Sequence, residues 1–349
     1  MYTTKTHYIW LDKDNNLRSK VRILNISSSD ILKSIPDWGF DGSSTGQANS
    51  QNSDLILKPV CALKNLWISN EIPEIAVLCE VLNNDETPHL TNTRAKLREI
   101  LNNIPIDTNP WIGFEQEYVL FDNKTKRVCG WPEWPKFPKS QGPYYCGLNL
   151  LKSYGREIVD KHTKLCLDSN LMIFGTNAEV MPGQWEFQIG YRDNFYDTDP
   201  GPLTVSDHLW LARWLLQLVA EQYDVSVSFH PKPISGDWNG SGCHVNFSTN
   251  KTNDKENGYN EIIKAIDKLQ KNHLKHIADY GKDLQMRLTG EHETCNINKF
   301  KFGISDRTAS IRIPLNVYKN KYGYLEDRRP GANCDPYLVC SRLLETICL

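Results

Sequence analysis

Trp111 to Phe121 reads WIGFEQEYVLF, a run of apolar and aromatic residues broken by Glu115 and Glu117. Residues two apart on a β-strand share a face. The segment therefore predicts a strand whose two carboxylates point the same way. The pattern recurs. Glu186 sits between Trp185 and Phe187 in QWEFQIG, with Glu179 seven residues upstream. His244, Asn246 and Ser248 alternate with Cys243, Val245 and Phe247, and Arg312 alternates with Ile311 and Ile313. One sheet face then carries acids, a histidine and an arginine, which is costly to bury without a ligand of opposite charge.

Carboxylates with one imidazole suit a hard or borderline divalent ion, Mg2+ or Mn2+. Zinc would draw more His and Cys ligands. Five to six such groups exceed one ion's need for protein ligands, so two or more ions are expected. Arg287, Arg307, Arg312, Arg328 and Arg329 all fall in the last quarter of the chain. A planar guanidinium meets phosphate or carboxylate bidentately, and metal ions beside arginines suit phosphoryl transfer. Arg312 lies inside the apolar SIRIPL strand, whereas Arg328 and Arg329 in EDRRPG also fit an exposed turn. No P-loop and no dinucleotide-binding glycine pattern is present, and no G-x-S-x-G elbow. The residues by themselves leave a metal-dependent phosphatase or a glycosidase open as rivals.

Outward from these segments, 349 residues predict two domains. A formal net charge of −2 gives no argument for nucleic acid or an anionic membrane as partner. Ten cysteines lack paired spacing and mostly have apolar flanks, which predicts reduced packing residues. The best apolar run, Leu209 to Ala220, is interrupted by Arg213, and no signal region opens the chain. A cytoplasmic location is the expectation.

Residues 5–85 read as a β-rich domain, with strands at His7–Leu11, Lys20–Leu24 and Ile75–Val81 and a short helix at Ile31–Ile35. Between them runs DGSSTGQANSQNSD from Asp41, a long polar loop of the kind that carries function or stays a flexible surface feature. Residues 92–349 read as the second domain. Helices are expected at Asn92–Leu101, Ser153–Leu167, Ser206–Tyr223 and Asn260–Tyr280, with Ser206-Asp207 starting the third. Trp131–Pro143 is too Pro-rich for a helix and reads as an ordered loop. Gly240-Ser241-Gly242 would let backbone approach a ligand closely.

GTNAEVMPGQWEFQIG, DWNGSGCHVNFST, RLTGEHETCNIN, RTASIRIP and GYLEDRRPGANCDP, with DGSSTGQ, FEQEYVLF and QGPYYCG earlier, stand in one order along the chain. Together they resemble glutamine synthetases of the eukaryotic type, from about Tyr8 to the C-terminus. The resemblance implies an α+β chain: an N-terminal β-grasp domain, then a catalytic domain with a curved antiparallel sheet, or half-barrel, flanked by helices. It implies ATP-dependent ligation of ammonia to the glutamate side chain through γ-glutamyl phosphate, with Mg2+ or Mn2+, two or three ions per site, and a role in nitrogen assimilation.

The same resemblance assigns Glu117, Glu179 and Glu186 to one metal, and Glu115, His244 and Glu326 to a second. It places Arg287 and Arg328 on glutamate carboxylates and Trp238, Asn239 and Gly240 on the glutamate backbone side. Arg307 matches the arginine that stabilises the transferring phosphoryl group and also contacts both substrates. Arg312, Asn246, Phe247, Ser248 and Tyr324 match nucleotide contacts, joined by Glu115 and Glu186 through the metals. Glu293 matches the flap acid that shields the acyl phosphate, and Asp41, with Ser44, matches the acid that deprotonates ammonium. The Asp41 loop is implied to come from a neighbouring subunit of a ring, a decamer of two pentamers.

The chain departs from the family pattern at 59–74, 147–151 and 191–202, and at Glu291 beside Glu293. A catalytically silent relative would have lost a metal acid or the phosphoryl arginine, and none is lost here. A ligase for a bulkier amine would need an apolar pocket where Asp41 and Glu293 stand.

Overall fold

The computed structural model describes residues 2–26, 31–66, 73–132, 136–149, 151–190 and 201–349. The departures at 67–72, 150 and 191–200 lie outside these residues. Two compact units result, one of residues 1–99 with 164–171 and one of residues 100–163 with 172–349.

In the first unit, β1 (Tyr2–Leu11) and β2 (Leu17–Ile26) form a hairpin, joined by the polar turn. Asp12 secures it by accepting from the backbone of Asp14 and Asn16 at 2.9 Å. Helix α1 (Ile31–Ser34) precedes β3 (Trp38–Asp41), β4 (Asp54–Leu66) and β5 (Glu74–Leu82). The sheet order is β2-β1-β5-β4-β3, with only β1 and β5 parallel. Every residue of β5 is buried, as befits a strand with neighbours on both sides and both faces covered. Ile31 and Ile35 of the helical segment pack on Tyr8, Trp10, Phe40 and Leu57 to make the core. Helix α2 (Thr93–Asn102) follows, capped by Asn92, whose Oδ1 accepts from Ala95 N at 3.0 Å.

The second unit is built on a nine-stranded sheet. Its strands are β6 (Trp111–Asp122), β7 (Arg127–Val128), β8 (Ile173–Ala178), β9 (Gln184–Ile189), β10 (Val225–Ser228), β11 (Cys243–Ser248), β12 (Phe302–Ile304), β13 (Ile311–Ile313) and β14 (Leu325–Asp327). Their order is β12-β13-β14-β11-β6-β9-β8, with β7 and β10 also on β6. All pairs are antiparallel except β12 with β13. The remaining helices of the chain are α3 (Arg156–Asp168), whose last residues from Lys164 belong to the first unit, α4 (Pro202–Glu221), α5 (Gly258–Lys271), α6 (His273–Asp279), α7 (Leu284–Arg287), α8 (Leu315–Asn320) and α9 (Pro336–Ile347).

Three expectations are corrected. Helix α4 begins at Pro202, four residues before Ser206, with Pro at N1. Ser206 and Asp207 are buried within it: the Ser206 hydroxyl donates to Pro202 O at 2.7 Å, and Asp207 accepts from Tyr337 at 2.6 Å. Asn260–Tyr280 is two helices, broken at Asn272. Arg328 and Arg329 are not an exposed turn, since both are at least 95% buried. Arg329 lies against Asp327 at 2.7 Å, and Asp327 also accepts from Tyr280 at 2.8 Å, so the buried charge is paired and hydrogen-bonded.

All ten cysteines are free thiols. Among the described residues no helix is long and apolar enough to cross a membrane.

Candidate active site: an acid-lined sheet face

Strand β6 is polarised by its pleat. Gln116 points to the helix side, where the Arg213 guanidinium from α4 donates to its Oε1 at 2.8 and 2.6 Å. Gln116 in turn donates to Ala332 O at 3.1 Å. Fixing Gln116 in a buried network fixes the opposite orientation of Glu115 and Glu117.

Register then sets the acids side by side. Arg312 on β13 faces Glu326 on β14, which faces Asn246 on β11. His244 on β11 faces Glu115 on β6. Glu117 faces Glu186 on β9. Glu179 lies one residue past β8, in the turn to β9, so it is not a strand residue; its carboxylate accepts from Asn177 Nδ2 at 2.9 Å.

Like charges directly opposite one another destabilise a sheet, and the electrostatics carry that mark. Burial first, then Glu115, Glu117 and Glu179, push the Glu186 carboxyl up to about 9. Burial and Glu117 push Glu179 up to about 8. Glu117 is also raised by burial, against the opposing pull of Arg287 and of Gly242 N–H, which donates to it at 2.8 Å. A cation would relieve three acids that cannot all ionise alone, but the donor atoms of this set are not all gathered within 4.8 Å of one another.

Beside it, one donor atom each from Glu115, His244 and Glu326 lie within 4.8 Å of one another. His244 Nδ1 is 3.5 Å from Glu115 and 3.7 Å from Glu326. Burial, with Arg328 and Arg287, drives His244 well below the usual imidazole range. With Nε2 accepting from Arg287, the neutral ring carries its hydrogen on Nδ1, facing the two carboxylates, and a metal bound at Nδ1 would have to shift that hydrogen to Nε2 and release the Arg287 bond. Glu326 is held in place by Arg312 and Arg328, each donating at 2.5 Å.

The wall of the cavity continues through Asn239, Gly240, Arg287, His292, Glu293, Thr294 and Arg307. Arg287 is fully buried, and burial lowers it to about 10 despite Glu117. Its Nη2 donates to His244 Nε2 at 2.9 Å and its Nη1 to Arg328 O at 3.1 Å. A Cβ on Gly242 would meet Arg287 Nη2 at 2.4 Å, and one on Gly240 would meet Arg287 Cγ at 2.8 Å. The two glycines thus admit the arginine as closely as they would a ligand.

Asn246 donates to Glu115 at 2.8 Å. Ser248 accepts from Asn253 at 3.2 Å. Tyr324 is raised by burial and by the nearby Glu115 and Glu326. Phe247 is fully buried on the opposite face, so only its backbone is available to a ligand. Trp238 packs edge-on against Trp131, with centroids 5.2 Å apart, and lines a neighbouring cavity rather than this one. Asp41 and Ser44 belong to the first unit. Hydroxyls of Ser43 and Ser44 each donate to Asp41 at 2.6 Å and hold its exposed carboxyl down to about 2.

Sequence reasoning used QGPYYCG and RLTGEHET only as family marks and missed the pair inside them, Gln141 and His292, which bond at 2.9 Å. Paired polar residues 151 apart leave no periodic signal.

The family model described as the glutamine synthetase catalytic domain matches residues 91–278. The chain is 45% identical over 357 residues to the chloroplastic glutamine synthetase of Chlamydomonas reinhardtii, covering 99% of this chain and 91% of that protein. It is 49% identical over 346 residues to the glutamine synthetase of Eremothecium gossypii, covering 98% and 88%. An electron cryomicroscopy structure of Plasmodium falciparum glutamine synthetase superposes with a TM-score of 0.76 at 19% identity, covering 99% of this chain and 71% of that one. That last likeness speaks to the α+β fold and its half-barrel sheet.

Proposed function

This chain belongs to the glutamine synthetase family, and from that premise we propose a role for each residue of the acid-lined face. The activity is ATP-dependent synthesis of glutamine from glutamate and ammonia, and the family uses ATP with a divalent metal. In our reading Glu117, Glu179 and Glu186 would hold one ion, and Glu115, His244 and Glu326 a second, with Mg2+ or Mn2+ as the metal and two or three ions per site. Bound there, the ions would neutralise phosphate charge and polarise the transferring group. The observation that carries the assignment is the direct register of Glu117 on Glu186 and of His244 on Glu115. It supports the reading of two donor sets, since the two-residue spacing of β6 sends Glu115 and Glu117 to the same face beside different partners.

The remaining roles follow from chemistry. A carboxylate oxygen is a poor leaving group, so glutamate must be activated as γ-glutamyl phosphate before ammonia can displace it. Arg287 and Arg328 bind the substrate carboxylates, and Asn239 and Gly240 line the substrate backbone, while Trp238, on the adjoining cavity against Trp131, anchors the loop that carries them. Arg307, exposed on the cavity wall with no ion-pair partner among the described residues, meets the charge that develops on the transferring phosphoryl group. Arg312, Tyr324 and the Asn246–Ser248 segment receive the nucleotide. Glu293 covers the acyl phosphate, and the carboxylates of Glu293 and Asp41, the latter oriented by Ser44, receive the proton from ammonium. Asp41, held ionised by Ser43 and Ser44, attracts the small cation.

Asp41 is fully exposed yet oriented by two serines. This supports a loop delivered to the site of a neighbouring subunit. We therefore read the assembly as a ring, two pentamers stacked as a decamer, with residues 5–85 as the β-grasp domain, 92–349 as the catalytic domain and the cytoplasm as location. Mn2+ titration with calorimetry on chelator-treated protein tests the two-set assignment. Glu186→Gln and Glu326→Gln should each remove one class of site and leave the other. Loss of both classes in either variant would contradict it.

A further inference from the structure

Gln141 lies in an irregular segment, far in sequence from the strands that carry the acids. Its amide is nonetheless used at both ends. The backbone N–H of Asn239 donates to Gln141 Oε1 at 2.7 Å, and Gln141 Nε2 donates to His292 Nδ1 at 2.9 Å. An N–H can only donate, so the amide orientation is forced: its oxygen faces Asn239 and its nitrogen faces His292. The His292 tautomer then follows, with Nδ1 bare and hydrogen on Nε2. That nitrogen points at Asp237 Oδ1, 3.1 Å away. Asp237 and Asn239 are two residues apart on one loop, so the bonds close a circuit from loop to Gln141 to His292 and back.

The circuit holds a strained backbone. His292 and Glu293 both have positive φ, 50° and 59°. A side-chain-bearing residue is strained in this region, and such conformations persist only where the surroundings over-determine them. Thr294, next along, is buried and donates to Glu291 O at 2.7 Å, which tightens the same turn. The Asp237 carboxylate is 97% exposed and contributes little. Gln141 is the partly buried arm of the circuit. It joins the segment bearing Glu293 to the loop bearing Asn239, and both of those residues line the cavity.

We propose that Gln141 is a positioning residue that, through His292, locks the Glu293 segment onto the substrate-side loop and so keeps water from the acyl phosphate. The inference rests on the reading of Glu293 given above. Its consequence is coupling: without the lock, acyl phosphate hydrolyses before ammonia reaches it, and ATP is consumed without glutamine.

The test uses Gln141→Ala, His292→Ala, their double variant and His292→Asn, whose Oδ1 keeps an acceptor for Gln141. Two quantities are read: phosphate released per glutamine formed, and amide hydrogen exchange across residues 289–295. Gln141→Ala and His292→Ala should each raise the phosphate-to-glutamine ratio at least about twofold and speed exchange of the segment about tenfold. The double variant should match either single one. His292→Asn should recover most of both. Equal loss of phosphate release and glutamine, with exchange unchanged, would overturn the proposal. So would additive effects in the double variant. Should Gln141→Ala fail to fold, His292→Asn against His292→Ala decides by the same criteria. Exchange reads positioning without turnover, so a failure of the Glu293 reading, with faster exchange but an unchanged ratio, is distinguishable from a failure of the lock.

Discussion

The Arg287 guanidinium donates to His244 Nε2 at 2.9 Å, and it reaches that ring only because Gly242 has no side chain. A methyl group there would sit 2.4 Å from Arg287 Nη2 and 2.9 Å from His244 Nε2. Gly242 itself has no left-handed backbone conformation, so space alone is at issue. Gly242→Ala should therefore displace Arg287 while leaving the sheet intact. We expect the KM for glutamate to rise about tenfold or more, with a far smaller change in the KM for ATP. Steady-state kinetics with each substrate varied in turn checks this; an unchanged KM for glutamate would count against the placement of Arg287.

Metal removal should make stability depend on pH in a definite direction. Glu179 and Glu186 are raised to about 8 and about 9 in the folded chain. An unfolded glutamate titrates near 4.3. Between about 4.3 and these values the folded state binds more protons, so stability falls as pH rises through the window. Chelator-treated protein should lose Tm from pH 6 to pH 9, and Glu186→Gln should flatten that slope. Saturating Mg2+ should reverse it, because the ion binds the ionised carboxylates. A flat profile for the chelated wild-type chain would show that these acids are not mutually buried.

Arg307 lines the cavity without an ion-pair partner among the described residues. Its removal should thus leave ground-state packing alone and weaken the transition state. Arg307→Ala should lower kcat by about a hundredfold or more, with a smaller effect on the KM for glutamate. A change confined to KM would assign it to substrate binding only.

The shared-site reading predicts complementation. Asp41→Asn and Glu117→Gln should each be nearly inactive alone. Dissociated and reassembled together, they should recover a fraction of wild-type activity, because some sites would join an intact Asp41 to an intact metal set. No recovery in oligomers shown to be mixed would place Asp41 in the site of its own chain.

The catalytic sheet was largely legible because a strand has period two, and polar residues at every second position of an apolar run leave a clear trace. Glu115, Glu117, Glu186, His244 and Arg312 all carried it. Glu326 did not: in GYLEDRRPG a buried acid among charged neighbours looks like a solvated turn, and only the resemblance singled it out. Arg329 failed for the same reason, since its burial depends on Asp327 and Tyr280 meeting it in three dimensions. Ser206-Asp207 misplaced the start of α4 because capping chemistry and buried tertiary hydrogen bonding use the same side chains. The Gln141–His292 bond had no local signature at all.

Phosphate release by the purified chain, measured with ATP, glutamate, ammonium and Mg2+ each omitted in turn, tests the central claim most directly. The account predicts that full release, with one glutamine formed per phosphate, requires all four together. Equal release without ammonium or without glutamate would contradict it, because the acid-lined face would then serve a phosphatase.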